Sequence, residues 1–123
     1  MTNLRTGIDL VEIARIGQAR ERWGERFLKK VFTPGEIVHC RGRAEALAVH
    51  FAAKEAALKA LGTGAIGVGW RDVEVTYDSR GAPSLALHGR AVDRALELGL
   101  KSFAVSMSHS RDHATAVVVA AGD

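Results

Sequence analysis

Residues 43–62 read Arg-Ala-Glu-Ala-Leu-Ala-Val-His-Phe-Ala-Ala-Lys-Glu-Ala-Ala-Leu-Lys-Ala-Leu-Gly, and this stretch decides the fold. Alanine, leucine, lysine and glutamate are the strongest helix formers, and Gly62 supplies a C-terminal stop. Arg43 to Leu61 is therefore predicted to be one long helix. Ala48, Ala52, Ala56 and Ala60 recur every fourth residue, a small-residue strip that lets another backbone or a ligand approach closely. Glu55 and Lys59, four apart, share another face. Two readings of that pair stand. It is an exposed ion pair worth a few tenths of a kcal/mol, or a hard oxygen ligand with a lysine one turn on, as magnesium-assisted phosphate chemistry requires.

On the N-terminal side, Gly7-Ile8-Asp9-Leu10-Val11 is a short apolar run typical of a first strand, with Asp9 inside it. Burying a carboxylate costs several kcal/mol unless it is paired or coordinated, so Asp9 points to a metal, a buried salt bridge or a local pairing. From Ala14 to about Lys30 the pattern is helical, with Ile16, Ala19, Trp23, Phe27 and Leu28 inward and Gly24 as a break. Thr33-Pro34-Gly35-Glu36 is a helix start with a capping box.

Beyond the long helix, residues 62–69 form a glycine-rich connector. Val73, Val75 and Tyr77 alternate as a half-buried strand, Asp78 to Gly81 turns the chain, and Pro83 to His88 returns as a second strand. Arg90 to Leu98 is a further helix closed by Gly99. Phe103, Val105 and Met107 alternate, Ser108 to Asp112 forms a hairpin loop, and His113 to Ala121 is the last strand. No linker or repeat interrupts residues 1–123, and strand–helix–strand units do not recur regularly. The expectation is one α+β domain, a mainly antiparallel sheet packed with a long central helix.

Composition narrows the classes. Hydrophobic residues make up 47% and charged residues 25%, which excludes a disordered tail or a fibrous repeat. Aromatics are only 6%, so the core rests on Ala, Leu, Val and Ile, with room for a second subunit to add buried area. The lone Cys40 excludes a disulfide scaffold. The amino end has no apolar secretory run and no stretch reaches a membrane span, so a cytoplasmic protein is expected. Net charge is +3, and it is localised: residues 1–43 hold nine Lys/Arg against five Asp/Glu, the remainder eight against nine. Either this is an ordinary solvated helix face, or it meets an acidic partner. A nucleic-acid module is the competing class. Against it, no helix-turn-helix, zinc finger or aromatic-studded basic strand is present.

Other motifs are weaker. Gly62-Thr63-Gly64 offers backbone N–H groups to phosphate oxygens or simply stops the helix, and it lacks a P-loop ending. Ser106, Ser108 and His109 lack a nucleophile elbow, so serine hydrolysis is rejected. The five histidines show no zinc spacing.

Taken in order, Gly7-Ile8-Asp9 with Glu12 and Arg15-Ile16, then Phe32-Thr33-Pro34-Gly35-Glu36, then Phe51-Ala52-Ala53-Lys54-Glu55-Ala56 with Lys59-Ala60-Leu61-Gly62-Thr63-Gly64 form one pattern. Asp72-Val73-Glu74-Val75, the Gly81-x-Pro83 turn and Val105-Ser106-Met107-Ser108-His109 complete it. Over nearly the whole chain this resembles the small, single-domain 4'-phosphopantetheinyl transferases of the holo-acyl-carrier-protein synthase type. Each piece is weak alone, and the order and spacing carry the resemblance.

The resemblance implies transfer of the phosphopantetheine arm of coenzyme A to a serine of apo acyl carrier protein, releasing 3',5'-ADP. It makes Asp9 and Glu55 magnesium ligands and gives Lys59 charge stabilisation on the transferring phosphate. Gly62, Thr63 and Gly64 would line the coenzyme A phosphates, and His109 with the Gly81–Pro83 turn would lie near the nucleotide. The basic first helix would dock the acidic carrier, with Arg15, Arg22 and Arg26 as contacts. Between Arg15 and Lys30 there are six basic and two acidic residues. Two positions depart from related patterns. His50 stands where the family usually carries arginine, and as a coenzyme A contact it would hold phosphate less strongly. Val11 stands where larger, two-lobed transferases carry a second acid. That favours the small type, a homotrimer with clefts between subunits. A catalytically silent subunit is the remaining alternative, and intact Asp9, Glu55 and Lys59 argue against it.

Overall fold

In the computed structural model, residues 3–62 and 67–123 are described. The strand alternation of the N-terminal run extends further than its apolar core, over Asn3–Glu12 (β1). Gly24, at φ 55°, splits the basic helical region into Ile13–Trp23 (α1) and Glu25–Val31 (α2). Thr33 caps Pro34–Cys40 (α3) through the expected capping box. Ala44–Leu61 (α4) is the long helix, ended by Gly62. After a single 3-10 turn at Trp70–Asp72 come the strands Val73–Tyr77 (β2) and Pro83–Leu87 (β3). The chain closes with Gly89–Glu97 (α5), Ser102–His109 (β4) and His113–Gly122 (β5).

Every strand pair is antiparallel. β5 lies between β1 and β4, and β2 pairs with β3 in a separate two-stranded sheet. α4 is buried on nearly all sides, as a helix apolar all round should be. One side packs on Ala116, Val118 and Ala120 of β5 and on Val73 and Val75 of β2. The other meets Ile16, Val31, Phe32 and Cys40 of α1 to α3. The α+β expectation therefore stands, with a core built largely from alanine.

The small-residue strip on α4 receives a backbone. Gly7 of β1 lies against it so closely that a Cβ there would collide with the Ala56 carbonyl oxygen and come within 2.9 Å of Ala60 N. Two expectations change. Ile8 and Leu10, read as part of an apolar strand around Asp9, are 64% and 66% exposed. The period-2 alternation turns them outward and leaves Gly7, Asp9 and Val11 facing α4. Trp23, expected inward, is half exposed at the end of α1, where the Arg22 guanidinium sits 5.0 Å over its ring.

Candidate functional site

β1 and α4 run antiparallel. Arg5 reaches the Ala60 carbonyl, Gly7 abuts Ala56, and Val11 shares a groove wall with Phe51. Asp9 lies between these levels, beside the turn that carries Glu55 and Lys59. Lys59 Nζ donates to Asp9 Oδ1 at 3.1 Å and to the Ile8 carbonyl oxygen at 2.9 Å. The Lys59 side chain is 58% exposed, Asp9 only 17%. The Asp9 backbone is fixed from the other side, where Thr115 Oγ1 donates to its carbonyl at 2.7 Å. Glu55 is half buried, and its Oε2 accepts a long hydrogen bond, 3.4 Å, from Trp70 Nε1. Sequence reasoning placed Asp9, Glu55 and Lys59 in one site; β1–α4 packing sets Lys59 on Asp9, and Glu55 lies one turn before Lys59 on the same helix. The outcome for Asp9 is a partly buried carboxylate whose partner is a solvent-exposed lysine.

The donor set fits one kind of cation. Among the described residues, no three His, Cys, Asp or Glu side chains gather. A zinc site is therefore absent there, whereas magnesium needs only one or two carboxylates, its remaining positions going to water and phosphate oxygens.

A cleft of about 670 Å³ lies between α1, α2, α4 and the Trp70 turn. Its floor is apolar, with Ile16, Phe27, Phe51 and Trp70, and Arg15, Arg26 and Lys30 stand around it. It joins the carboxylates at two points. Val11, in its wall, follows Asp9 on the same strand face, and Trp70 holds Glu55. Of the three expected partner contacts, Arg15 and Arg26 line this cleft, whereas Arg22 lies over Trp23.

The remaining expected residues fall elsewhere. Gly81, at φ 85°, and Pro83 form the β2–β3 turn of the second sheet. His109 ends β4 and pairs with Ala114, on the same inner sheet face as Val11 and Asp9 but two strands away. Thr63 and Gly64 lie outside the described residues, and Gly62 caps α4.

His50 is a correction. It was expected to contact coenzyme A, yet its ring is 2% exposed and both nitrogens are engaged. Nδ1 lies 2.7 Å from the Ala46 carbonyl oxygen and 3.5 Å from Cys40 Sγ, and Nε2 lies 2.9 Å from the Tyr77 hydroxyl. Burial pushes its pKa below the ordinary value of 6.5 and pushes the Cys40 thiol up to about 12. His50 is thus a packing group joining α3, α4 and β2.

Lys54 was missed. Adjacent to Glu55 in sequence, it points 100° away around the helix and is wholly buried. Its Nζ meets Glu36 Oε1 at 2.6 Å and donates to the Trp70 and Val73 carbonyls. Glu36 also accepts from Thr33 N at 2.9 Å and Val75 N at 2.8 Å. Desolvation lowers the Lys54 pKa, and Glu36 opposes that. The network anchors the Trp70 turn, hence the indole that holds Glu55. The available signal was the i, i+4 pairing of His50 with Lys54, which sets both on the face opposite the solvent-facing Lys59.

Comparison with known proteins identifies the family. A family model described as the 4'-phosphopantetheinyl transferase superfamily matches residues 5–118. The chain is 52% identical over 126 residues to a holo-[acyl-carrier-protein] synthase of Herpetosiphon aurantiacus, covering 97% of this chain and 99% of that one. Among solved structures it is similar to Helicobacter pylori holo-[acyl-carrier-protein] synthase in complex with coenzyme A, with TM-score 0.83, 34% identity, and 94% and 98% of the two chains covered. It is also similar to a Plasmodium yoelii acyl carrier protein synthase with ADP bound, with TM-score 0.88, 29% identity, and 100% and 98% covered. On the match over residues 5–118 and the 52% identity across nearly its full length, the chain belongs to the 4'-phosphopantetheinyl transferase superfamily.

Proposed function

We propose that this protein is a holo-acyl-carrier-protein synthase, moving the 4'-phosphopantetheine arm of coenzyme A onto a serine of apo acyl carrier protein. The observation that carries the reading is the contact of Lys59 with Asp9 where β1 packs on α4, with Glu55 one helical turn before Lys59 and bonded to Trp70 in the wall of an apolar cleft edged with basic side chains. Asp9 and Glu55 would hold magnesium, which supplies charge neutralisation and orientation to the coenzyme A phosphates when bound. Asp9 is held ready by its place beside α4, and Glu55 by the Trp70 indole. Lys59, long and mostly exposed, can leave Asp9 and set Nζ on the phosphate oxygens, where an ammonium stabilises the charge that develops. As the serine oxygen–phosphorus bond forms, the bond to 3',5'-ADP breaks, and Lys59 can give the leaving oxygen its proton. An ordered water or a carboxylate takes the serine proton. Gly62 with Thr63 and Gly64 would face the phosphates. His109 and the Gly81–Pro83 turn would approach the nucleotide across a subunit boundary.

The cleft is the proposed seat of the carrier. Arg15, Arg26 and Lys30 complement an acidic helix, and the apolar floor takes its hydrophobic side chains. Such charge complementarity speeds encounter and weakens with salt. The outer face of the β1–β5–β4 sheet exposes Leu4, Ile8, Leu10, Val117 and Val119. An apolar patch of this extent on a small chain marks an interface, and a homotrimer is the assembly proposed on it. Among the described residues no helix is long and apolar enough to cross a membrane, and a lone buried cysteine fits the reducing cytoplasm.

The test is incubation of the purified protein with apo acyl carrier protein, coenzyme A and magnesium. The carrier is expected to gain one phosphopantetheine with release of 3',5'-ADP, and an unmodified carrier would contradict the reading.

A further inference from the structure

The C-terminal end of α4 is electrostatically unfavourable for phosphate. The last carbonyls of a helix lack intrahelical partners, and the dipole places about half a negative charge there. Two arginines from distant elements answer this. Arg5 on β1 donates Nε to the Ala60 carbonyl at 2.6 Å, and Arg94 on α5 donates Nε to the Leu61 carbonyl at 2.9 Å. Because Nε makes both contacts, the outer guanidinium nitrogens extend past the helix end to Gly62. A Cβ on Gly62 would lie 3.6 Å from Arg94 Nη2 and would collide with Arg5 Nη2. Arg90 packs over Gly67 in the same way. Guanidinium groups therefore border Gly62 and Gly67 alike.

The positive charge exceeds what capping requires. Arg94 Nη1 pairs with the exposed Glu97 at 3.2 Å. Among the described residues no carboxylate lies within ion-pair distance of Arg5 or Arg90. Two guanidinium groups face one carboxylate and a helix end worth about half a charge. A planar fork with spare donors beside a small residue is the geometry that grips phosphate bidentately.

We propose that Arg5 and Arg94 form a phosphate seat at the C-terminal end of α4 that takes a phosphate of the nucleotide half of coenzyme A. This rests on the transferase reading of the neighbouring site. Neither Arg5 nor Arg94 belongs to the motifs that carry the family resemblance.

Calorimetric titration with 3',5'-ADP tests it, on the wild type and on Arg5→Gln and Arg94→Gln, with thermal melts alongside. Each glutamine variant is expected to bind roughly tenfold more weakly, as loss of a charge-assisted contact implies, and with a shallower salt dependence. Arg94→Lys, which keeps the charge, is expected to recover part of the affinity. Folded variants that bind as the wild type does would overturn the seat. Glu97→Gln covers the case in which removing a cap unfolds the chain. It alters an exposed side chain, frees Arg94 Nη1, and is expected to tighten binding about twofold. Unchanged affinity there would also overturn the proposal. A wild type that binds no 3',5'-ADP would remove the transferase reading itself, an outcome distinct from binding that the arginine variants leave untouched.

Discussion

Two lysines five residues apart on α4 are predicted to do different work, and replacing each by methionine separates them. Lys54 is wholly buried against Glu36, and its ammonium also serves the Trp70 and Val73 carbonyls. Removing one member of a buried ion pair leaves an uncompensated charge and costs about 3–5 kcal/mol. The unfolding entropy of a chain of 123 residues is about 0.26 kcal/mol per kelvin. Lys54→Met is therefore expected to lower Tm by roughly 12–20 °C. Below its melting range it should keep turnover within about threefold, since Lys54 touches no reacting group. Changing Glu36→Gln as well should recover part of the loss, because no lone charge remains buried. Lys59→Met should do the reverse. An exposed pair with Asp9 is worth about 0–1 kcal/mol, so Tm moves by no more than a few degrees. Turnover should fall on the order of a hundredfold or more, as for a lost transition-state donor. Differential scanning fluorimetry and steady-state rates, measured on both variants, decide the matter. A Lys54→Met protein with unchanged Tm and lost turnover would refute the structural assignment.

Other expectations follow from the same geometry. His50 is held neutral by burial, with the Cys40 thiol, Tyr77 hydroxyl, Glu36, His39 and Lys54 around it. Its folded pKa lies below 6.5, so the unfolded chain binds more protons and stability falls as pH drops below about 6.5, by up to ~1.4 kcal/mol per pH unit. Urea melts between pH 7 and 5 should show this slope, reduced in His50→Gln; equal slopes would remove His50 as its source. Arg15→Glu and Arg26→Glu are expected to raise KM for the carrier about tenfold each, with little change in kcat, and the effect should shrink at high salt. A fall in kcat at constant KM would speak against the docking cleft. Leu10→Asp on the outer sheet face should convert a sedimenting trimer into monomers, and a wild type that sediments as a monomer would dismiss that interface.

The elements were legible because their periods are strong. Thr33-Pro34-Gly35-Glu36 announces its capping box, Gly24 its break, and α4 its length. The proposed trio comes from the order of its motifs, since Asp9, Glu55 and Lys59 occupy the positions the resemblance requires. What escaped depends on contacts between elements. Alternation separates the two faces of β1 but does not say which one packs, so the apolar run around Asp9 does not reveal that Ile8 and Leu10 face outward while Gly7, Asp9 and Val11 face the core. The Glu36–Lys54 pair joins residues on two helices. The Arg5 and Arg94 contacts join β1 and α5 to the end of α4, across 55 and 33 residues of sequence. His50 read as a ligand contact because the family pattern places arginine there, and only the positions of Cys40 and Tyr77 reveal that its ring is enclosed.

The central claim is that Asp9 and Glu55 act together on a metal-bound phosphate. Its most direct test is the intact mass of apo acyl carrier protein after incubation with coenzyme A and magnesium, comparing the wild type with Asp9→Asn and Glu55→Gln, with and without chelator. The carrier should gain one phosphopantetheine only with the wild type and only without chelator, while both variants keep the wild-type melting temperature within a few degrees. Carrier modification by either folded variant, or by the wild type in excess chelator, would contradict it.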